Sequence, residues 1–327
     1  MMPPDALRAV VVGHRFENLD FEREILAPVA QVFEVHPQND DELIGAIADA
    51  DAILKQNCEL GPTIIAALAR CRVIVTYGVG VDTIDVDAAT ARGILVCNVP
   101  DYCIEEVATH TLALLLTFER KIPQMMARLR GGHWEGPEAY TIHRLTGRTL
   151  GLLGFGRIGQ RVGALGAAFG LRVLAHDPYL TSEQVRRAGA EWIPLDDLWT
   201  RSDYLSVHCP LTRETKEMIG ATELARMRED AVLINTSRGR VVHEEALIEA
   251  LKAGRLRGAA LDVFQDEPIA PTHPLLALDN VIVTPHLAWY SDRAQSDVRL
   301  RAAEEVRRVL LGSPPKHPVN HIGGSQP

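Results

Sequence analysis

Short aliphatic runs alternate with longer stretches whose apolar positions recur at helical spacing. Ala9-Val10-Val11-Val12, Ala52-Ile53-Leu54 and Val73-Ile74-Val75 carry no polar position, which predicts strands buried on both faces. A helix over Asp40 to Ala48 opens on acids suited to the positive end of a helix dipole, and another is predicted around Thr63 to Ala69. Alternation of this kind predicts parallel strands covered by helices. From Val107 to Arg130 the pattern is that of one long helix without internal glycine, kinked at Pro123 and ended by Gly131-Gly132. Its Leu112, Leu114, Leu115 and Leu116 are more than one helix face needs. A second α/β unit begins at Leu150. The expected fold class is therefore α/β, with two open parallel-sheet domains and the glycine-rich one inserted into the other.

The second unit opens on an apolar strand that runs into Gly154-x-Gly156-x-x-Gly159 and then into a helical pattern, Gln160 to Phe169. Gly154 permits a tight turn, Gly156 lets a pyrophosphate approach the backbone, and Gly159 lets helix and strand pack closely. Phe155, Arg157 and Ile158 complete the loop, and the helix N-terminus offers free N–H groups to phosphates. The next strand, Leu171 to Asp177, ends in an acid about 20 residues on, placed for ribose hydroxyls. Only Pro178 and Tyr179 follow Asp177 directly, so a 2′-phosphate would meet a negative charge and no cation. The expected cofactor is NAD rather than NADP.

Three further residues stand just past the carboxyl ends of predicted strands, where open α/β sheets place their ligands. Arg238 follows Ala231 to Ser237, Glu267 lies in Ala260 to Pro268, and His286 ends Val281 to Pro285. A histidine can move a proton near neutral pH, and a glutamate beside it fixes its tautomer and favours its charged form. An arginine fork can clamp a carboxylate with two parallel bonds. Together the three compose one proton-transfer and carboxylate-binding site. The loop Tyr77-Gly78-Val79-Gly80-Val81-Asp82 follows a strand of the first domain, and its glycines can present N–H groups to a substrate carboxylate.

With 327 residues the chain is long enough for two domains with full cores. A formal net charge of −9 argues against a broad nucleic-acid surface. The five cysteines are scattered with no C-x-x-C pair, which points to reduced thiols in the cytoplasm and to neither a disulfide frame nor a metal site. No basic segment precedes an apolar stretch at the start, so no signal peptide is expected. The most apolar helix candidate, Leu112 to Phe118, is too short to span a bilayer.

Segments of this kind in one order resemble the D-isomer-specific 2-hydroxyacid dehydrogenase family over essentially the whole chain. They are Gly78-Val79-Gly80-Val81-Asp82, Leu150 to Gly159, His208-Cys209-Pro210-Leu211-Thr212, Asn235-Thr236-Ser237-Arg238-Gly239, Asp266-Glu267-Pro268 and Thr284-Pro285-His286. Ile94 to Pro100, Ile104-Glu105-Glu106 and His286 to Ser291 look closest to the C-terminal-binding-protein branch, which includes NADH-binding corepressors. The resemblance implies two Rossmann- or flavodoxin-like domains: 1–100 plus 292–327 for the substrate, and 101–291 for NAD. It implies that a C-terminal helix, Asp292 to Leu311, crosses back to the first domain; the Pro- and Gly-rich tail from Gly312 reads as loosely ordered. It further implies His286 as acid/base, Glu267 as its partner and Arg238 as carboxylate clamp, acting on a 2-oxo or D-2-hydroxy acid in a homodimer. On the cofactor side it implies His208 and Pro210 beside the adenine, with Thr215, Thr236 and Ser237 also lining it, and Asp262 at the nicotinamide carboxamide. Trp289 reads either as an aromatic wall against the substrate or as a tryptophan buried at an interface. Two departures stand out: Thr76 where relatives often carry arginine, and Thr83 where an asparagine often follows the loop aspartate. A formate dehydrogenase is disfavoured by Glu267, where that group has glutamine. The alternative in another class is an NADH-sensing, corepressor-like binding protein.

Overall fold

The apolar runs of the sequence form two parallel sheets. A computed structural model describes residues 7–134 and 140–322. They divide into two units: the described residues up to Tyr102 together with those from Ser291 on, and Cys103–Tyr290.

In the first unit, β1 (Leu7–Val12), β2 (Ala30–Val35), β3 (Ala52–Lys55), β4 (Val73–Thr76) and β5 (Leu95–Cys97) lie in the order β2-β1-β3-β4-β5. Every pairing is parallel, and Lys55 stands opposite Thr76. Helices α1 (Asp20–Leu26), α2 (Asp40–Ile47), α3 (Pro62–Ala66) and α4 (Val86–Ala91) connect these strands. Val10, Ile53, Ile74 and Val96 pack with Leu43, Ile47 and Ile65 from the helices into one core. Asn39 and Asp85 cap α2 and α4 by accepting from Glu42 N and Ala88 N, which supplies the first-turn donors with acceptors.

The second unit begins with α5 (Ile104–Glu119) and α6 (Ile122–Arg130). Its strands are β6 (Thr149–Leu153), β7 (Arg172–His176), β8 (Glu191–Trp192), β9 (Tyr204–Val207), β10 (Val232–Asn235), β11 (Gly258–Leu261) and β12 (Val281–Val283). They form one sheet in the order β12-β11-β10-β9-β6-β7-β8. The order reverses direction at β6, between β9 and β7, and this is where doubly wound sheets hold a ligand at their carboxyl ends. Helices α7 (Arg157–Ala168), α8 (Ser182–Arg187), α9 (Leu195–Arg201), α10 (Ala221–Arg226) and α11 (Glu244–Lys252) connect the strands. Two clusters of buried residues cover the two sheet faces, one centred on Leu112, Leu115, Phe118 and Val162, the other on Leu198, Trp199, Leu247 and Leu251. The last helix, α12 (Asp292–Leu310), belongs to the first unit, where it packs on α1, β3 and β4.

Three expectations change. The pattern from Val107 to Arg130 is two helices and not one. The first ends at Glu119, Lys121 takes a left-handed backbone with φ of 53°, and α6 restarts with Pro123 in its first turn. Proline lacks an N–H and is well placed there, but inside a helix it would cost a bond, so the chain breaks two residues earlier. The leucines of α5 are not spare: Leu112, Leu114 and Leu115 are buried in the unit's own core. The tail beyond Gly312 is also tied down as far as Asn320. Lys316 N donates to Glu305, Val319 N to Val96 O, and the buried Asn320 amide bridges Val96 N, Ile94 O and Thr90 Oγ1. A side-chain amide that satisfies the edge of β5 fixes a segment whose composition alone suggests freedom.

Candidate active site

The glycine loop joins β6 to α7. Gly154 has φ of +90°, and a Cβ there would sit 2.6 Å from Cys209 N, so both conformation and space exclude a side chain. A Cβ at Gly159 would meet Gly154 O at 2.5 Å, which lets the helix seat directly on the turn. Gly156 is different. It is exposed, and a Cβ there would meet nothing within 4 Å. Its freedom therefore serves no internal packing and keeps open the space in front of the α7 N-terminus, which suits a pyrophosphate. Asp177 stands at the end of β7 and accepts from Phe155 N at 2.9 Å and Tyr179 N at 2.9 Å. It thus ties the carboxylate that would take ribose hydroxyls to the loop that would take the phosphates. The Phe155 ring is buried in the core, so that residue offers the loop only its backbone, whereas Arg157 is exposed and Ile158 half-buried.

Arg238 is set by the strand end before it. The amide of Asn235, at the end of β10, donates to Arg238 O at 2.9 Å and accepts from Ser237 N at 3.0 Å, closing the turn. The guanidinium Nη1 donates to Ser237 O at 2.8 Å. At Gly239, a Cβ would lie 1.9 Å from Phe264 C and O, so the backbone after Arg238 presses on the backbone that leads to Glu267. Arg240 fastens the same junction by donating to Gln265 O and Asp266, and Glu244 accepts from Gln265 N at 3.0 Å. Nothing in the sequence singles out Arg240 or Glu244; both act on a loop 21 or more residues away along the chain.

Glu267 follows β11 and His286 follows β12, its neighbour in the sheet. Their side chains meet with Oε2 and Nδ1 2.6 Å apart, and Glu267 Oε1 accepts from Phe264 N at 2.9 Å. Burial pushes the Glu267 carboxyl up. The hydrogen bond and charge of His286, with the Phe264 N–H and Arg238, outweigh burial and hold it below the ordinary carboxylate value. An ionised carboxylate only accepts, so Nδ1 carries a hydrogen and Nε2 is left as the atom that gives or takes a proton. The histidine side chain is 43% exposed, enough to meet a ligand. For a depressed carboxyl the pairing is complete above the ordinary carboxylate range and lost as pH falls through the lowered value. In His286→Asn, therefore, the Glu267 carboxyl should titrate at higher pH than in the native protein. Carbon-13 NMR of the glutamate carboxyls measures this directly, and an unmoved resonance would mean that the two groups do not interact as drawn.

The turn that carries His286 hangs on Asp262. His286 N donates to Asp262 O at 2.8 Å, while Leu287 N and Ala288 N donate to its carboxylate at 3.0 and 2.8 Å. His286 itself has φ of 53°, an unfavourable region for a non-glycine residue that persists where surrounding bonds impose it. Asp262 is wholly buried, and its carboxylate holds this turn.

Other expected cofactor contacts spend their side chains internally. Thr236 is buried with its hydroxyl 2.9 Å from that of Thr111. Ser237 Oγ donates to Cys209 O, and Thr215 Oγ1 to Pro210 O. Ser237 and Thr215 are only half-buried, and their hydroxyl oxygens keep the capacity to accept. His208 Nε2 lies 2.8 Å from Ser206 Oγ, and desolvation pushes its imidazole down to about 4, so it is neutral at pH 7. Trp289 is half-buried with its ring edge-on to Tyr290 at 5.6 Å.

In the first unit, the loop after β4 places Gly78, Val79 and Gly80 at the strand end, with Val79 37% exposed. Tyr77 points the other way. Its ring is buried, its hydroxyl donates to Glu22 at 3.1 Å, and burial raises its pKa well above the ordinary value. Only its backbone stands in the loop. Thr76 is buried in the sheet, and the cation next to it is the buried Lys55, whose ammonium donates to Cys58 O and to the Thr83 hydroxyl. Among the described residues, His14, Glu34 and His36 bring potential metal-ligand atoms within 4.8 Å of one another. His14 Nδ1, however, accepts from Phe16 N, so in the neutral ring the hydrogen sits on Nε2, 3.0 Å from Glu34, and neither nitrogen offers a free lone pair.

A doubly wound sheet with an open glycine turn at its switch point, an acid at the next strand end and a His–Glu pair beside an arginine defines a dinucleotide-binding dehydrogenase type. Residues 112–288 match the model of the D-isomer specific 2-hydroxyacid dehydrogenase NAD binding domain. The D-3-phosphoglycerate dehydrogenase of Methanocaldococcus jannaschii is 40% identical over 91% of this chain and 57% of its own length. The glyoxylate reductase of Korarchaeum cryptofilum is 38% identical over 87% of each chain. The structure of the D-lactate dehydrogenase of Aquifex aeolicus, complexed with NAD and lactic acid, superposes with a TM-score of 0.85 at 31% identity, covering 93% of this chain and 96% of that one. The chain belongs to the D-isomer-specific 2-hydroxyacid dehydrogenase family. It spans just over half the length of the phosphoglycerate dehydrogenases it matches.

Proposed function

We propose that this chain is an NAD-dependent 2-hydroxyacid dehydrogenase that works as a reductase of a 2-oxo acid. The observation that carries the reading is the 2.6 Å pair of His286 and Glu267, with Arg238 close enough to lower the same carboxyl. When bound, the nicotinamide supplies the hydride. Arg238 holds the substrate carboxylate and polarises the carbonyl oxygen. As negative charge gathers on that oxygen, His286 gives it the proton from Nε2, while Glu267 fixes the ring through Nδ1 and balances its charge. In oxidation the same nitrogen takes the proton back. Taken by itself, the Gly78–Gly80 loop of the first unit offers N–H groups suited to a carboxylate.

Asp177 supports NADH over NADPH. A carboxylate close to a 2′-phosphate costs about 1–4 kcal/mol of repulsion, and about 1.4 kcal/mol is a tenfold difference in affinity. The test is NADH and NADPH oxidation against glyoxylate, hydroxypyruvate, pyruvate, phenylpyruvate and methylthio-oxobutyrate. One of these acids should be turned over, with NADH favoured about tenfold or more. No turnover with any would sink the enzymatic reading, and equal use of both cofactors would sink the role of Asp177.

The corepressor-like alternative draws no support from the relatives named above. Five free cysteines, of which four are buried, fit the cytoplasm as the proposed compartment. Among the described residues no helix is long and apolar enough to cross a membrane. We also propose a homodimer. The apolar surface that supports it lies on α6, where Ile122, Met125, Met126 and Leu129 are between 40% and 55% exposed and no residue is buried. Sedimentation at micromolar concentration should give a dimer and Leu129→Asp should weaken it; a native monomer would refute the assembly.

A further inference from the structure

Beyond the His–Glu–Arg set, His110 reaches the segment that carries His286 from another element of the same unit. It lies on α5 and its imidazole is 26% exposed. Its Nε2 is 3.0 Å from Thr284 Oγ1 and 3.6 Å from Asp262 Oδ1. Thr284 Oγ1 is in turn 2.5 Å from Asp262 Oδ1. The direction of every bond in this chain is forced. The hydroxyl of Thr284 has one hydrogen, and the carboxylate of Asp262 can only accept, so that hydrogen goes to Asp262. The oxygen of Thr284 must then accept from His110, so Nε2 of His110 carries a hydrogen. The same carboxylate receives Leu287 N and Ala288 N, and Asp262 O receives His286 N. A helix is thereby linked through a hydroxyl and a carboxylate to two successive amides of the turn that presents the acid/base histidine, while the amide of His286 itself rests on the Asp262 carbonyl.

We propose that His110 is a positioning residue for His286: the His110–Thr284–Asp262 chain holds the 286–288 turn in the left-handed geometry that brings the imidazole onto Glu267. The role rests on the acid/base reading of His286 given above. Asp262 alone could hold the amides, but Oδ1 must also be kept from rotating away from Leu287 N. The bond to Thr284, itself oriented by His110, fixes which oxygen faces which donor. Without the donor from α5, the Thr284 hydroxyl is free to turn and the carboxylate loses its reference point. A displacement of about 1 Å at a reacting group can cost on the order of a hundredfold in rate, so partial loosening should cost roughly tenfold.

Variants of His110 and Thr284 test this. His110→Gln keeps an N–H donor near the position of Nε2, whereas His110→Leu removes it at similar volume. With the best 2-oxo acid, His110→Leu should lower kcat about tenfold and leave the Kd for NADH within about twofold, and His110→Gln should recover most of the loss. Thr284→Val should match His110→Leu, and the double variant should be no worse than either alone, as expected of one connected chain. In a His286→Ala background, adding His110→Leu should change nothing further. Additive losses, or a further fall in that background, would show that His110 acts elsewhere. The Glu267 carboxyl provides a readout that needs no turnover. Its titration should move upward in His110→Leu, toward that in His286→Asn, and return in His110→Gln. If the carboxyl behaves so while no 2-oxo acid is reduced, the positioning role stands and the proposed activity falls. If the carboxyl does not move, the positioning role is refuted whatever the enzyme does.

Discussion

With His286 replaced by alanine, reduction of the best 2-oxo acid should slow about a thousandfold, the middle of the range that a positioned general acid contributes. NADH should still bind within about twofold of its native affinity. The two effects separate because the residues that would hold the cofactor are folded independently of the histidine. Gly154, Gly156 and Gly159 take their shape from β6, α7 and the backbone at His208–Cys209, and Asp177 is bonded to Phe155. His286 sits on a turn at the end of β12, anchored by Asp262. Fluorescence titration with NADH and steady-state rates at one pH decide the matter. A variant that keeps a tenth or more of native turnover would remove His286 from proton transfer.

Arg238→Lys should lower kcat/KM about a hundredfold, shared between a higher KM and a lower kcat. Lysine keeps the positive charge but cannot hold a carboxylate with two parallel bonds or polarise a carbonyl in the same plane. The loss should not come from the fold, because the turn is closed by Asn235 through the backbone of residue 238, and the close approach of Gly239 to Phe264 does not involve the arginine side chain. Circular dichroism and melting temperature should therefore match the native protein. A variant with native kcat/KM would show that the carboxylate is bound by another group; one that fails to fold would show that the guanidinium is structural.

Most of the sheet architecture was legible because buried parallel strands leave continuous aliphatic runs, and the glycine turn because its steric demands fall on fixed positions. The meeting of Glu267 and His286 was legible for a related reason: each ends a strand, and the two strands are neighbours. The finer likeness to one branch of the family rested on short segments such as His286 to Ser291, whereas the relatives named above are dehydrogenases and reductases. What was not legible depends on partners far away in sequence. His110 and Thr284 are 174 positions apart, and Asn320 reaches Val96 across 224. The break at Lys121 was hidden because Pro123 is tolerated in a first helical turn and so did not announce where the previous helix stopped. Tyr77 was drawn into the loop by its neighbours in sequence, while Glu22, from α1, takes its hydroxyl inward.

The discontinuous first unit has a consequence for how the chain is made. Residues 103–290 are continuous and can fold as they leave the ribosome. The first unit is synthesised earlier yet stays incomplete longer. Until α12 emerges, the surfaces of α1, β3 and β4 that its Val298, Ala302 and Val306 cover face water, and the buried carboxylate of Glu22 waits for Arg299. Of the two units, the one whose strands are translated earlier is therefore completed later. Until α12 has been made, the first unit displays an apolar surface and a Glu22 carboxylate without its arginine, and α12 closes both.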